Sequence, residues 1–150
     1  MSDRDVRAFA NDLPVYEFPE VPFTAPPPLA EARVAIVTTA GLRTDGPLLW
    51  ARGDEGFAVL PAGAHDVRMA HASQNFDRSG FMADLNVVYP LDRLAELAAA
   101  GTIGSVAHRN LSFMGAQPDH TLSTIRLDSG PAAAALLRED GVDVVLLTPV

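Results

Sequence analysis

Two stretches of this chain gather side chains able to do chemistry. Thr38-Thr39-Ala40-Gly41 sets two hydroxyls and a glycine at the end of an apolar run. Backbone amides and hydroxyls in such a place can hold a carboxylate or phosphate. Residues 65–86 concentrate His65, Asp66, His71, Asn75, Asp77, Arg78, Asp84 and Asn86. An imidazole beside a carboxylate suits general acid–base work, because histidine titrates near neutral pH. The spacing of His65 and His71 matches neither H-E-x-x-H nor a facial triad, so no metal ligand set is assigned. Ser79 and Ser112 lack the G-x-S-x-G elbow, and the chain carries neither G-x-G-x-x-G nor a Walker pattern. Each group also has a bland reading: a hydroxyl-capped turn for the threonines, hydrogen-bonded structural or surface residues for the histidines. Phe113-Met114-Gly115 fits a pocket wall or plain core.

These residues need a scaffold, and the flanking patterns supply one. Arg33–Thr39 is β-branched and almost continuously apolar, as in a strand covered on both faces, and Ala40-Gly41-Leu42 turns at its carboxyl end. Phe57–Leu60 reads as a second strand closed by Pro61. Pro90 opens a helix with Leu91, Leu94, Leu97 and Ala98 at helical spacing, stopped by Gly101. Ile103–Ala107 reads as a short extended segment. A second helix runs from Pro131 to Asp140 with Leu136 and Leu137 inward, and Gly141 ends it. Val142–Leu147 then reads as a buried strand. Helix, glycine and apolar strand in succession make the unit of a parallel α/β sheet with flanking helices. The expected organisation is a Pro-rich arm over 1–32 and an α/β domain over 33–150, an incomplete or half domain truncated at its carboxyl end. The arm contains Pro14, Pro19, Pro22 and Pro26-Pro27-Pro28, a short helix near Val6–Asn11, and aromatics Tyr16, Phe18 and Phe23 suited to packing.

Composition narrows the function classes. A length of 150 residues with 48% hydrophobic and 20% charged residues fits one globular domain and excludes disorder. The formal net charge of −8 disfavours a nucleic-acid partner, which calls for clustered Lys and Arg. No run approaches the roughly 20 apolar residues of a membrane helix. The N-terminus shows no secretory pattern, so a cytoplasmic setting is expected. With no cysteine, thiol nucleophiles, disulfides and cysteine metal sites are excluded within these residues.

Three stretches together carry a resemblance. They are Arg33-Val-Ala-Ile-Val-Thr-Thr-Ala-Gly-Leu42, the block from His71 to Gly115, and Gly141-Val-Asp-Val-Val-Leu-Leu-Thr-Pro-Val150. The block includes Asn75-Phe-Asp-Arg-Ser-Gly80, Asp84-Leu-Asn-Val-Val-Tyr-Pro-Leu-Asp-Arg-Leu94, Gly101-Thr-Ile-Gly104 and Leu111-Ser-Phe-Met-Gly115. The series resembles the family of glycine/sarcosine/betaine reductase component B and D-proline reductase, the selenoprotein B group.

The resemblance implies reductive C–N cleavage on a small amino acid or amine, with a selenocysteine or cysteine as nucleophile and a second thiol to resolve the adduct. It also implies a pyruvoyl group on a partner subunit. A selenolate or low-pKa thiolate is nucleophilic at neutral pH, which fits that chemistry. The redox residue of such a protein is expected just after a strand like Val142–Leu147 and a turn like Thr148-Pro149-Val150. The expectation is therefore a nucleophile immediately after Val150, encoded by a UGA codon, and an inactive chain without it. The residues left to wall a substrate site are Thr38, Thr39, Gly41, His71, Asp77, Asp84 and Asn86, with His71 and Asp84 first. The competing expectation is a non-catalytic small-ligand-binding or structural subunit, complete at 150 residues, that contacts a reductase partner or forms a homo-oligomer.

Overall fold

The computed structural model describes Ser2, Arg4, Asp5, Ala8 and residues 24–73, 78–117 and 122–150. Most of the Pro-rich arm, including Tyr16, Phe18 and Phe23, therefore lies outside the described residues. Strand β1 (Arg33–Thr38) is the axis of the main sheet. A two-residue β2 (Leu42–Arg43), β3 (Phe57–Pro61) and a two-residue β4 (Arg68–Met69) follow. Next come a short helix α1 (Ser79–Ala83), a 3-10 turn over Leu85–Val87 and α2 (Leu91–Ala99). Strands β5 (Ser105–Val106) and β6 (Arg109–Phe113) lead into a helical turn at Leu122–Thr124. A π segment over Ile125–Ser129 continues into α3 (Gly130–Glu139), and β7 (Val144–Thr148) closes the order.

Strand β7 pairs in parallel with β1 along its length, from Val34↔Val144 to Thr38↔Thr148. The opposite edge of β1 is shared in succession by β5, at Arg33 and Val34, and β6, at Val37 and Thr38, both parallel. Among the described strands of this sheet, only β3, on the far side of β6, runs antiparallel. This is a mixed, mostly parallel α/β sheet, with β2 and β4 forming a separate antiparallel pair.

Alternation along β1 divides the core, as the period of two in a strand requires. Val34 and Ile36 face one side with Phe81, Val88, Tyr89, Leu94 and Ile103. Ala35 faces the other with Ala107, Leu111, Ala133 and Leu137. Helices α2 and α3 thus cover opposite faces, as their leucine and alanine spacing predicts. Each fully buried aliphatic such as Ile36 or Leu111 contributes about 1.5–3 kcal/mol of transfer free energy. Leu97 departs from the inward pattern and is exposed.

The expectation of a buried final strand is corrected. Val145, Leu146 and Leu147 are 39%, 36% and 68% exposed, because β7 is the sheet edge and α3 leaves part of it uncovered. A groove of about 460 Å³ between α3 and this edge is lined by Leu137, Val142, Val145 and Leu147 among others. The apolar run is real, but a run of this kind records no neighbour.

Two buried polar side chains complete the sheet. In the gap between β5 and β6, Asn110 Oδ1 accepts the Ile36 amide at 2.8 Å. Ser112 Oγ accepts the Leu42 amide at 2.7 Å. Both side chains are fully buried. Leaving a buried amide unmet costs about 1–3 kcal/mol, so these two residues hold the strand where hydrophobic contact alone would not.

At the amino end of the sheet an ion cluster ties α3 to the strands. Arg109 grips the Asp140 carboxylate with two donors, its Nε at 2.7 Å from Oδ2 and its Nη2 on Oδ1. Arg33 Nη1 donates to the Asp140 carbonyl, and His108 Nε2 stands 3.4 Å from Oδ1. The bond from Arg109 holds the Asp140 carboxyl below its ordinary pKa of 3.8, a shift that burial partly opposes.

Candidate functional site at the carboxyl ends of the strands

The carboxyl ends of β1, β6 and β7 meet at one corner. Thr38 is fully buried, and its hydroxyl is engaged twice: it accepts the Ala40 amide at 3.2 Å and donates to the Thr148 carbonyl at 3.3 Å. Thr39 is only partly buried. Its Oγ1 accepts the Val150 amide at 2.8 Å and lies 3.3 Å from the Val150 carbonyl oxygen. The chain direction beyond β7 is thus set by one threonine hydroxyl.

Gly41 then turns away at φ +62°, in the left-handed region that glycine enters without steric cost. Its amide donates to the Phe113 carbonyl at 3.0 Å, and its carbonyl accepts the Ala70 amide at 2.9 Å. The second bond delivers His71 to the corner. A Cβ on Gly41 would stand 3.0 Å from His71 Cα and 3.3 Å from His71 Cδ2. A Cβ on Gly115 would stand 2.7 Å from the Thr39 carbonyl oxygen, 3.0 Å from that of Val150 and 3.1 Å from His71 Nε2. The Cδ2–Nε2 edge of the imidazole therefore lies across two glycines, and neither position has room for a side chain.

His71 is 2% exposed, and burial lowers its pKa from 6.5, with the nearby Arg78 guanidinium acting in the same direction. Both effects favour the neutral ring. Its Nδ1 accepts the Ser73 amide at 3.1 Å. Arg78 Nη2 donates to the carbonyls of His71 and Ser73 and so fixes the backbone beneath the ring. A cleft of about 370 Å³ opens beside the corner, walled by Thr39, Met114, Gly115, Gln117 and Val150 among others. It is smaller than the apolar groove along α3, but it touches the polar groups of the corner.

Thr38, Thr39, Gly41 and His71 are thus brought together. Asp84 and Asn86 stand elsewhere. Asp84 caps the 3-10 turn, with Oδ1 accepting both the amide and the side-chain nitrogen of Asn86 at 2.9 Å. Asn86 passes the network on to Asp92 at the start of α2. Those bonds hold the Asp84 carboxyl below its ordinary pKa. Asn86 also borders a pocket of about 130 Å³ with His65 and Tyr89, away from His71. Asp77 lies outside the described residues. Among the described residues, no three His, Asp or Glu side chains gather as metal ligands.

The corner also contains Met114 and Gly115, which the sequence reads equally as plain core, and Gln117, which it does not single out. Gly115 forms its floor, Met114 Sδ accepts the Ala72 amide at 3.4 Å, and Gln117 ties the loop after β6 to the Met114 and Asp54 carbonyls. Their signal in the sequence is only a Met-Gly pair following a strand.

No protein-family model and no solved structure matches the chain. Two curated proteins do. The chain is 34% identical over 138 residues to the D-proline reductase subunit gamma of Acetoanaerobium sticklandii, covering 85% of this chain and 55% of that protein. It is 30% identical over 154 aligned positions to the betaine reductase complex component B subunit beta of Peptoclostridium acidaminophilum, covering 93% of this chain and 33% of that protein. The chain thus spans about half the length of the first relative and a third of the second.

Proposed function

This chain belongs to the family of D-proline reductase and betaine reductase B-type subunits, and we propose that it forms the scaffold of a reductase subunit. The substrate class is a small amino acid or amine, cleaved reductively at a C–N bond with two electrons and two protons drawn from a dithiol. The observation that carries this reading is 34% identity to a D-proline reductase subunit across 85% of the chain. Both relatives are named as subunits, which supports action alongside a partner subunit. No helix among the described residues is long and apolar enough to cross a membrane. A cytoplasmic setting suits a thiol-dependent reduction.

In this reading the nucleophile is a selenocysteine or cysteine directly following Val150, and a pyruvoyl group on the partner activates the substrate amine. The corner fits the first of these groups. Thr39 aims the backbone at Val150, and a neutral imidazole lies within reach of the same point above Gly115. When present, such a residue supplies a chalcogenolate ionised near neutral pH. The residues of this chain orient the strand end: Thr39 and Thr38 hold it, and Gly41 and Gly115 admit the buried His71 ring beside it. No residue here is assigned to the pyruvoyl group.

Reading the gene past the Val150 codon tests the proposal. It expects UGA followed by a continuing frame, and expects protein from the complete frame to consume D-proline or a related amine with a dithiol donor. A UAA or UAG codon with no continuing frame would overturn it. That result favours a non-catalytic binding or structural subunit, a reading supported by Thr38, Asp84 and Asn86, whose polar atoms already serve the fold.

A further inference from the structure

The outer edge of β7 leaves two kinds of group unanswered, and together they point to one kind of neighbour. The Thr148 carbonyl accepts the Thr39 amide at 3.2 Å, and the parallel register carries that pattern back along the strand. Backbone direction alternates residue by residue, so Val144, Leu146 and Thr148 turn their N–H and C=O groups toward β1. Val145 and Leu147 turn theirs outward, where none of the described strands pairs with them. Their side chains line the groove of about 460 Å³ beside α3, and Gly130, Ala133 and Ala134 form its helical wall. The edge lacks a strand, and the adjoining groove lacks an apolar body on the α3 face.

Handedness decides what can meet both. Helix α3 carries the chain from β6 across β1 to β7, and all three strands are parallel. Such crossovers are right-handed almost without exception, because a right-twisted strand feeding a right-handed helix packs back only that way. A further crossover that steps on past β7 keeps the same direction and hand, so its helix lies on the α3 face. Strands sit about 4.8 Å apart, which sets that helix about two spacings from α3, near the 8–10 Å at which helices pack. The glycine and two alanines of the α3 wall permit that approach. A second copy paired edge to edge about a twofold axis leaves the groove open. The two β1 strands would then lie three spacings, about 14 Å, apart, and the α3 helices above them would not touch.

We propose that the residues following Val150 form a helix seated in this groove and then a strand paired in parallel with β7, so that the protein covers its own open edge. The proposal rests on the reading that the frame continues past Val150. The match covers 55% of one relative and 33% of the other, so members of the family have chain length for such a unit. Because Thr39 holds the Val150 amide, the turn from β7 into that helix starts at the candidate site. Seating the helix therefore also fixes how the backbone leaves the corner.

The test is residue-resolved amide hydrogen exchange with methyl NOE spectroscopy, on protein from the complete gene without its partner subunit, at neutral pH. The Val145 and Leu147 amides are expected to exchange within about tenfold of the Val144 and Leu146 amides, as in an interior strand. Their methyl groups are expected to show NOEs to residues beyond Val150. Ala134→Arg, which projects into the groove, should lower the urea midpoint and speed exchange at Leu147 by about tenfold or more. Ala135→Arg, on the exposed side of the same helix, should change neither. Equal effects of the two substitutions, or exchange at Val145 and Leu147 as fast as in open peptide, overturn the proposal. NOEs between copies in a mixed-label sample assign the edge to a second copy and overturn it too, as does protection that arises only on adding the partner subunit. Turnover separates the two readings: a protein that protects these amides yet consumes no amine keeps this proposal and loses the reductase reading. A gene with no frame beyond Val150 overturns both, and the codon shows it before any spectrum.

Discussion

The two ends of the sheet are built from opposite materials. At the amino end, His108 and Arg109 converge on the Asp140 carboxylate while Arg33 holds its backbone carbonyl, and charge closes α3 onto the strands. At the carboxyl end, hydroxyls, two glycines and a neutral imidazole meet with almost no formal charge. The amino end has its charges answered by one another and leaves little for a ligand. The carboxyl end answers its own backbone groups and packs a buried ring edge against Gly41 and Gly115. Stability and chemistry are divided along the strand direction, as expected for ligand sites beyond the carboxyl ends of parallel strands.

Substitutions can sharpen or break this division. The largest effect is expected from Gly115→Ala, because the new methyl meets the backbone of Thr39 and Val150 at 3.0 Å or less. Overpacking of this kind costs about 1–3 kcal/mol, measurable as a lowered urea midpoint, and it should displace His71 as well. If stability and the His71 NMR signals are both unchanged, the corner is looser than described.

Next comes Asn110→Ala, which strips the Ile36 amide of its partner in the sheet interior. A loss of about 1–3 kcal/mol in urea unfolding is expected, with the slope unchanged. A neutral outcome would mean that neither end depends on the joint between them.

The two ends should also separate by pH. The Asp140 carboxyl has a folded pKa below 3.8 because Arg109 favours its ionised form. Its stabilising contribution is present above that ordinary value and is lost as pH falls through the lower folded value. Asp140→Asn should therefore lower Tm at neutral pH, and the gap should close in strong acid. His71 also has a lowered pKa, here because burial favours its neutral form. Between the folded value and 6.5 the unfolded chain binds more protons, so stability falls as pH drops through that window. His71→Gln should flatten this part of the Tm profile and leave the Asp140 part intact.

In the 150-residue chain, where this edge is open, the smallest change in stability is expected from Leu147→Lys, within about 0.5 kcal/mol. Its readout is association. Edge lysines discourage strand pairing, so light scattering should show less self-association than in the parent protein.

Much of the frame was legible in the residues. The apolar run of β1, the spacing Leu91–Leu94–Ala98 and the glycine stops at 101 and 141 follow from local geometry that depends little on distant contacts. The exposure of β7 was not legible, since Val-Val-Leu-Leu reads the same with or without a covering layer. Residues 62–90 gave little periodicity, and the burial of His71 is settled by long-range contacts with Gly41 and Gly115. Asp84 and Asn86 illustrate the converse. A polar pair that suggested a site is a local capping network, and nothing in its spacing separates the two uses. Asn110 was invisible for another reason: a polar residue inside a strand ordinarily marks an edge or a break, and here it stands in for one.

That substitution of side chain for backbone makes one amide unlike its neighbours. Elsewhere along β1, slow hydrogen exchange would measure how often two strands part. At Ile36 it measures how long a single carboxamide keeps its place. The Ile36 amide is therefore a built-in clock for the joint between β5 and β6, and its rate can be read without altering a residue.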